Sequence, residues 1–176
     1  IFPKKLEQDN ENYFETSFLS SSIFGWALPV SGRNLDDFSS GTDAANKSLR
    51  LYAVRPFKES KDVYFALENP AGTLRLTSDV FQDVYDDTKW NFAVKTSPAS
   101  GSQADYISGS ASTTHVDIEL YGCNVELGVI KNKFTANTTL VVADANHYYT
   151  QPRRYYVGAQ RTNITGSVVT RSDVKV

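Results

Sequence analysis

The stretch that decides the fold is His115-Val116-Asp117-Ile118-Glu119-Leu120-Tyr121-Gly122-Cys123-Asn124-Val125. Val116, Ile118 and Leu120 alternate with Asp117, Glu119 and Tyr121. A strand sends successive side chains to opposite faces, so this spacing predicts one apolar and one polar face. Gly122 interrupts the alternation, and the spacing predicts a turn there, with a second strand over residues 124–130.

The same reading extends outward. Leu49, Leu51 and Ala53 alternate with Arg50, Tyr52 and Val54 in residues 47–54. Residues 22–28 form a continuous apolar run, as expected of a strand buried on both faces. Further strands are expected over residues 13–19, 62–67, 72–76, 90–96, 139–143, 155–159 and 166–169. Turn chemistry lies between them at Asn69-Pro70-Ala71-Gly72, Gly32-Arg33-Asn34 and residues 98–101. Residues 97–114, rich in Ser, Ala and Gly, read as a loop. Residues 76–85, with Leu76, Val80, Phe81 and Val84 at three-and-four spacing and Ser78 and Asp79 as a cap, read equally as one amphipathic helix or as a loop with apolar anchors. The sum is an all-β chain, two antiparallel sheets packed as a β-sandwich with little helix.

Composition narrows the function classes. The chain has 176 residues and a net charge of −2, one domain's worth of length. Residues 1–90 carry ten basic and fourteen acidic side chains, and the remainder eight and six. With no basic stripe, nucleic acid is not an expected partner. With no apolar run of the roughly 20 residues that a spanning helix needs, neither is a membrane. One cysteine, Cys123, excludes an internal disulfide framework and a cysteine-rich zinc site, and is expected to fill a small buried space. There is no methionine and the chain starts at Ile1. Together with a strand-like ending at Val174 and Val176, this suggests a piece of a longer polypeptide. Residues 1–12 read as an N-terminal arm, with Ile1, Phe2 and Leu6 among charges as in a segment that docks on a partner. Residues 13–176 read as a single β-sandwich domain.

The order of features also carries a resemblance. The strand Ser22-Ile23-Phe24-Gly25-Trp26 is followed by Lys89-Trp90-Asn91-Phe92-Ala93-Val94. Then come the residues around Gly122, then Tyr156-Val157-Gly158-Ala159 and Gly166-Ser167-Val168-Val169. Over residues 10–176 this resembles the laminin-G-like domain, with its concanavalin A-like jelly roll. The closing strands are similar in style to jelly-roll modules in structural proteins of bacterial viruses. The chain departs from the family pattern in placing Gly122 before Cys123-Asn124. The resemblance implies a jelly roll in a virion, tail fibre or extracellular assembly, with neighbouring subunits or glycans as partners.

Four groups of residues invite a chemical reading. His115-Val116-Asp117-Ile118-Glu119 resembles the Glu-x-Asp-x-Glu strand of concanavalin A-like glycoside hydrolases, whose carboxylates share one face. His115 stands where the first carboxylate belongs, so a solvated strand face and no enzyme is the expectation. Asp79, Asp83, Asp86 and Asp87 offer oxygen ligands for Ca²⁺, but without EF-hand spacing, so a solvated acidic loop and no cofactor is expected. Tyr148, Tyr149, Arg153, Arg154 and Tyr155, with Tyr156 beside them, combine residue types favoured at recognition surfaces, and are the expected contact with a glycan or a neighbouring subunit. Three Asn-x-Ser/Thr tripeptides begin at Asn46, Asn137 and Asn163. They would accept glycans only in a secreted eukaryotic protein. The leading expectation is therefore a non-enzymatic structural or decoration module, a homo-oligomer or a component joined to other subunits. A lectin-like domain is the alternative, and a degenerate glycoside hydrolase the third reading.

Overall fold

The computed structural model describes residues 1–2, 19–27, 48–57, 60–99, 114–142, 148, 153–159, 172 and 174. Among them it is all-β with almost no helix, in two antiparallel sheets. The strands are β1 (Ser20–Ala27), β2 (Leu49–Val54), β3 (Tyr64–Glu68), β4 (Arg75–Thr77), β5 (Trp90–Pro98), β6 (His115–Glu126), β7 (Val129–Val141) and β8 (Arg154–Val157). Five of them lie in the order β4-β3-β2-β1-β8, and three in the order β5-β6-β7. This arrangement is compatible with a β-sandwich.

The alternation read from residues 47–54 is realised in β2. Leu49, Leu51 and Ala53 are buried, and Arg50, Tyr52 and Val54 are half-exposed. In β6, Val116, Ile118 and Leu120 are fully buried. These two sets belong to one hydrophobic core, so the sheets pack through their apolar faces. Full burial of each such side chain stabilises the fold by about 1.5–3 kcal/mol. Phe65 of β3 centres the core, with ring centroids of Trp90, Phe92 and Phe134 at 4.7, 4.8 and 5.5 Å.

β1 explains its own continuous apolar reading. The register with β2 shifts between Ser22 and Phe24, where Ile23 is the extra residue of a bulge. Ser22 pairs with Tyr52 and Phe24 with Leu51, so the buried face changes phase across the bulge. Farther along, Gly25 pairs with both Arg50 and Tyr156. A side chain at Gly25 would collide with the Leu49 carbonyl oxygen and, at 2.7 Å, with Tyr156 Cζ. Glycine is what lets the Tyr156 ring cross the sheet there.

The Asn69–Gly72 turn forms as expected between β3 and β4. The Gly72 N–H donates to the Asn69 carbonyl at 3.0 Å, with Pro70 second in the turn. The Asn69 side chain, buried to 2% exposure, accepts the Leu74 N–H at 3.0 Å and donates to Thr73 Oγ1 at 2.7 Å.

Several expectations are corrected. Gly122 is not a turn. It lies inside a continuous β6, opposite Phe92 on one side and Phe134 on the other. The chain reverses later, at Leu127 and Gly128, whose φ angles are 49° and 78°. Glu126 pairs with Val129 across them, a two-residue hairpin turn with both central residues left-handed. β7 then runs through residues 131–138, whose polar sequence hides a strand that is largely solvent-exposed.

Of the two readings of residues 76–85, the helix is wrong and the loop with apolar anchors is what forms. Leu76 is in β4, and Phe81 forms a β-bridge with Val63. Ser78 accepts the Phe65 N–H through its hydroxyl instead of capping a helix. The apolar spacing there reflects separate anchors, with Val84 and Tyr85 buried and Phe81 packed on the core. Phe2 is not free to dock elsewhere. It is 1% exposed in this chain's own core, edge-on to Tyr85 at 5.3 Å, and its N–H donates to the Thr88 carbonyl at 3.0 Å. Val174 packs on the core outside any strand. The strand expected over residues 13–19 (Leu19 apart), the turn at residues 32–34, most of the loop over residues 97–114, the strand over residues 166–169 and the rest of the arm lie outside the described residues.

Candidate functional site

The aromatic and basic cluster is divided by the fold. Tyr148 is 1% exposed and belongs to the core, which removes it from the expected contact surface. Burial pushes its phenol up to about 12, against the weaker opposing pull of Arg153. Tyr149 lies outside the described residues. Arg153, Arg154 and Tyr155 come together at β8, which borders the five-stranded sheet among the described residues.

There Tyr155 pairs with Trp26 and Val157 with Phe24. All four share the face that carries the core farther along the sheet. At β8 that face opens: Tyr155 is 67% and Val157 58% exposed. The Tyr155 ring stands edge-on to Trp26 at 6.0 Å, and the Arg153 guanidinium lies over the Trp26 ring at 5.2 Å. Such stacking holds cation and ring in place. Tyr156 faces the other way, across Gly25, and burial raises its phenol well above the ordinary value. Desolvation raises the Tyr52 phenol as well.

The carboxylates of β6 are occupied. Asp117 accepts the Thr139 hydroxyl at 2.6 Å. Glu119 accepts Lys95 Nζ at 2.9 Å and also the Tyr121 hydroxyl. His115 Nδ1 lies 2.9 Å from Thr114 Oγ1. These groups sit on the face of the three-stranded sheet opposite the core, as the alternation requires. Glu119 and Asp117 are thus each engaged by a neighbouring strand's side chain, Lys95 of β5 and Thr139 of β7.

The acidic run is spread over turns. Asp83 and Asp87 adopt left-handed φ angles of 51° and 57°. The Asp83 N–H donates to Asp62 Oδ1 at 3.0 Å, tying the segment to the start of β3. Among the described residues no group of three His, Cys, Asp or Glu side chains is placed to hold a metal ion. No helix among them is long and apolar enough to cross a membrane.

The surface that the sequence reading missed is the end of the β6–β7 hairpin. β5 stops at Trp90, opposite Asn124, so among the described residues the hairpin continues past it as two strands. Leu127 there is 98% exposed, Val129 59% and Ile130 57%. The signal was present in Leu127-Gly128, a glycine in the second place of a two-residue turn, but Gly122 offered a competing turn five residues earlier. Comparison of the chain with protein-family models, curated proteins and solved structures finds no match.

Proposed function

We propose that the chain is a non-enzymatic structural module, a jelly-roll β-sandwich that builds or decorates a virion, tail fibre or extracellular assembly through protein–protein contacts. The observation that carries this reading is where the fold leaves its apolar side chains. Leu127, Val129 and Ile130 at the hairpin end, and Tyr155 and Val157 at β8, are more than half exposed. Clustered exposed apolar residues mark contact surfaces more often than isolated ones do. The carboxylates nearest to a catalytic pattern are engaged with Lys95, Tyr121 and Thr139. Native mass spectrometry of the chain in its source material tests the proposal. A uniform assembly supports it, and a persistent monomer with no co-purifying subunit defeats it.

A carbohydrate-binding role is the second reading, favoured by one observation. Tyr155 presents an exposed ring beside Trp26 and Arg153, an arrangement on which a sugar ring can stack. A glycan screen with the Tyr155→Ala variant as control decides it. Binding that vanishes in the variant while the fold persists would establish the lectin role.

A further inference from the structure

We propose that β8 is an exchangeable strand: it opens from β1 while the rest of its sheet holds, and the freed edge of β1 takes the same strand from a second copy of this chain. The inference rests on the structural-module reading and deepens it by naming how copies join.

The reason lies in what docking β8 leaves unpaired. The strand has four residues, Arg154–Val157, and among the described residues it pairs with β1 alone. Four buried donors gather at this seam: Ser22 Oγ, Trp26 Nε1, Arg50 Nε and Tyr156 Oη. None of them has a hydrogen-bond partner among the described residues. Ser22 and Trp26 stand on β1, 0% and 5% exposed. Arg50 flanks Gly25 on one side and Tyr156 on the other, and the Tyr156 ring crosses Gly25. Tyr155 and the Arg153 guanidinium stack on Trp26. A donor closed off without an acceptor forfeits the bond it makes to water in an open chain. Undocking β8 returns Tyr156 to solvent and takes from Gly25 and Trp26 the side chains that lie over them.

Apolar burial gives little in return. Tyr155 is 67% and Val157 58% exposed, whereas Leu49, Leu51, Ala53, Phe65 and Leu67 on β2 and β3 are at 1% or less. Segments with few buried apolar contacts open first.

The register fixes the occupant. β1 already receives these residues, from Phe24 opposite Val157 to Ala27 opposite Arg154, and the Gly158 N–H donates to the Ile23 carbonyl at 2.7 Å. A second copy presents the identical strand. The exchanged seam repeats the original one, so the exchange is near neutral in free energy and is governed by concentration. Copies held in an assembly supply that concentration.

Two variants in a Cys123→Ser background, Ala27→Cys and Arg154→Cys, test the exchange. The two positions are cross-strand partners, so neither variant can close the disulfide within one chain. The folded variants are mixed, concentrated and oxidised with diamide beside a denatured mixture. The expected result is a mixed disulfide dimer well above the denatured level and above the dimers of either variant alone. Native-state hydrogen exchange of the wild-type protein reads the opening without any new thiol. Amides of residues 154–158 should exchange roughly tenfold or more faster than those of residues 64–68. Tyr156→Phe, which removes one unpaired donor and keeps the ring, should slow them roughly tenfold. Amides at 154–158 as slow as those at 64–68 overturn the inference, as does a rate indifferent to Tyr156→Phe. Fast opening with no mixed disulfide overturns it too. In each of these cases the structural-module reading survives with its contact elsewhere; a chain that joins no assembly in its source material ends both.

Discussion

The Phe134 ring occupies the space that a side chain at Gly122 would need. A Cβ built at Gly122 collides with Phe134 Cε1 and lies 2.7 Å from Cζ, and the two residues are cross-strand partners. Gly122 is therefore a packing residue, and its value is the room it gives to a ring stacked on Phe65 at an interplanar angle of 6°. Aromatic cover of a strand glycine also shields the backbone that the glycine leaves bare.

Gly122→Ala should destabilise the protein by about 1–3 kcal/mol, the usual cost of overpacking. If the collision is the cause, Gly122→Ala in a Phe134→Leu background should cost measurably less. A double-mutant cycle by urea denaturation gives the coupling. Additive effects would mean that the ring is not what excludes the methyl group.

Phe2→Ala should cost about 3–5 kcal/mol, the range for a buried aromatic ring, because Phe2 fills the core against Phe65 and Tyr85. Removal of residues 1–12 should likewise lower the melting temperature, where an arm devoted to a partner would leave it unchanged. Calorimetry of the two variants distinguishes these outcomes.

Asn69→Ala should destabilise by about 1–3 kcal/mol. It removes the acceptor for the buried Leu74 N–H and the donor to Thr73 in one change. Asn69→Asp should retain the bond to Leu74 and lose the one to Thr73, and fall between wild type and Asn69→Ala in chemical denaturation.

Alkaline pH provides a test of the buried tyrosine. Below about pH 10 the Tyr148 phenol is protonated in both folded and unfolded chains, and the advantage of burying it neutral is complete. From about 10 to about 12 the unfolded chain ionises first, so stability is lost as pH rises through that window. The slope from one such group is roughly 1.4 kcal/mol per pH unit. Tyr148→Phe should flatten the fall in denaturation midpoint over that window; an unchanged slope would place the phenol in water.

The sequence made β2 and the core face of β6 legible because both alternate strictly and neither is broken by a bulge. Asn69–Gly72 was legible because proline and glycine stand where that turn requires them. Gly122 misled because glycine marks turns and close ring contacts alike, and only the distant Phe134 separates the two cases. Residues 76–85 could not be decided between helix and anchored loop for a related reason: Leu76, Phe81 and Val84 reach the core from a strand, a bridge and turns, which mimic helical spacing. Of the candidate contact residues, Tyr155 with Arg153 and Arg154 was placed together on β8, but the burial of Tyr148 depends on tertiary packing that local pattern does not encode.

The pairing of β1 with β8 joins Ala27 to Arg154 and Phe24 to Val157, across nearly the whole described fold. The β3–β4 and β6–β7 hairpins close over a few residues each. Loop closure makes distant pairings slow relative to local ones. On a ribosome the two hairpins can be complete while β1 still waits with one edge unfilled, and Trp26 without its cover from Arg153 and Tyr155. During that interval the nascent five-stranded sheet is open to the strands of other chains, so the order in which this protein is made bears on how much of it survives to fold.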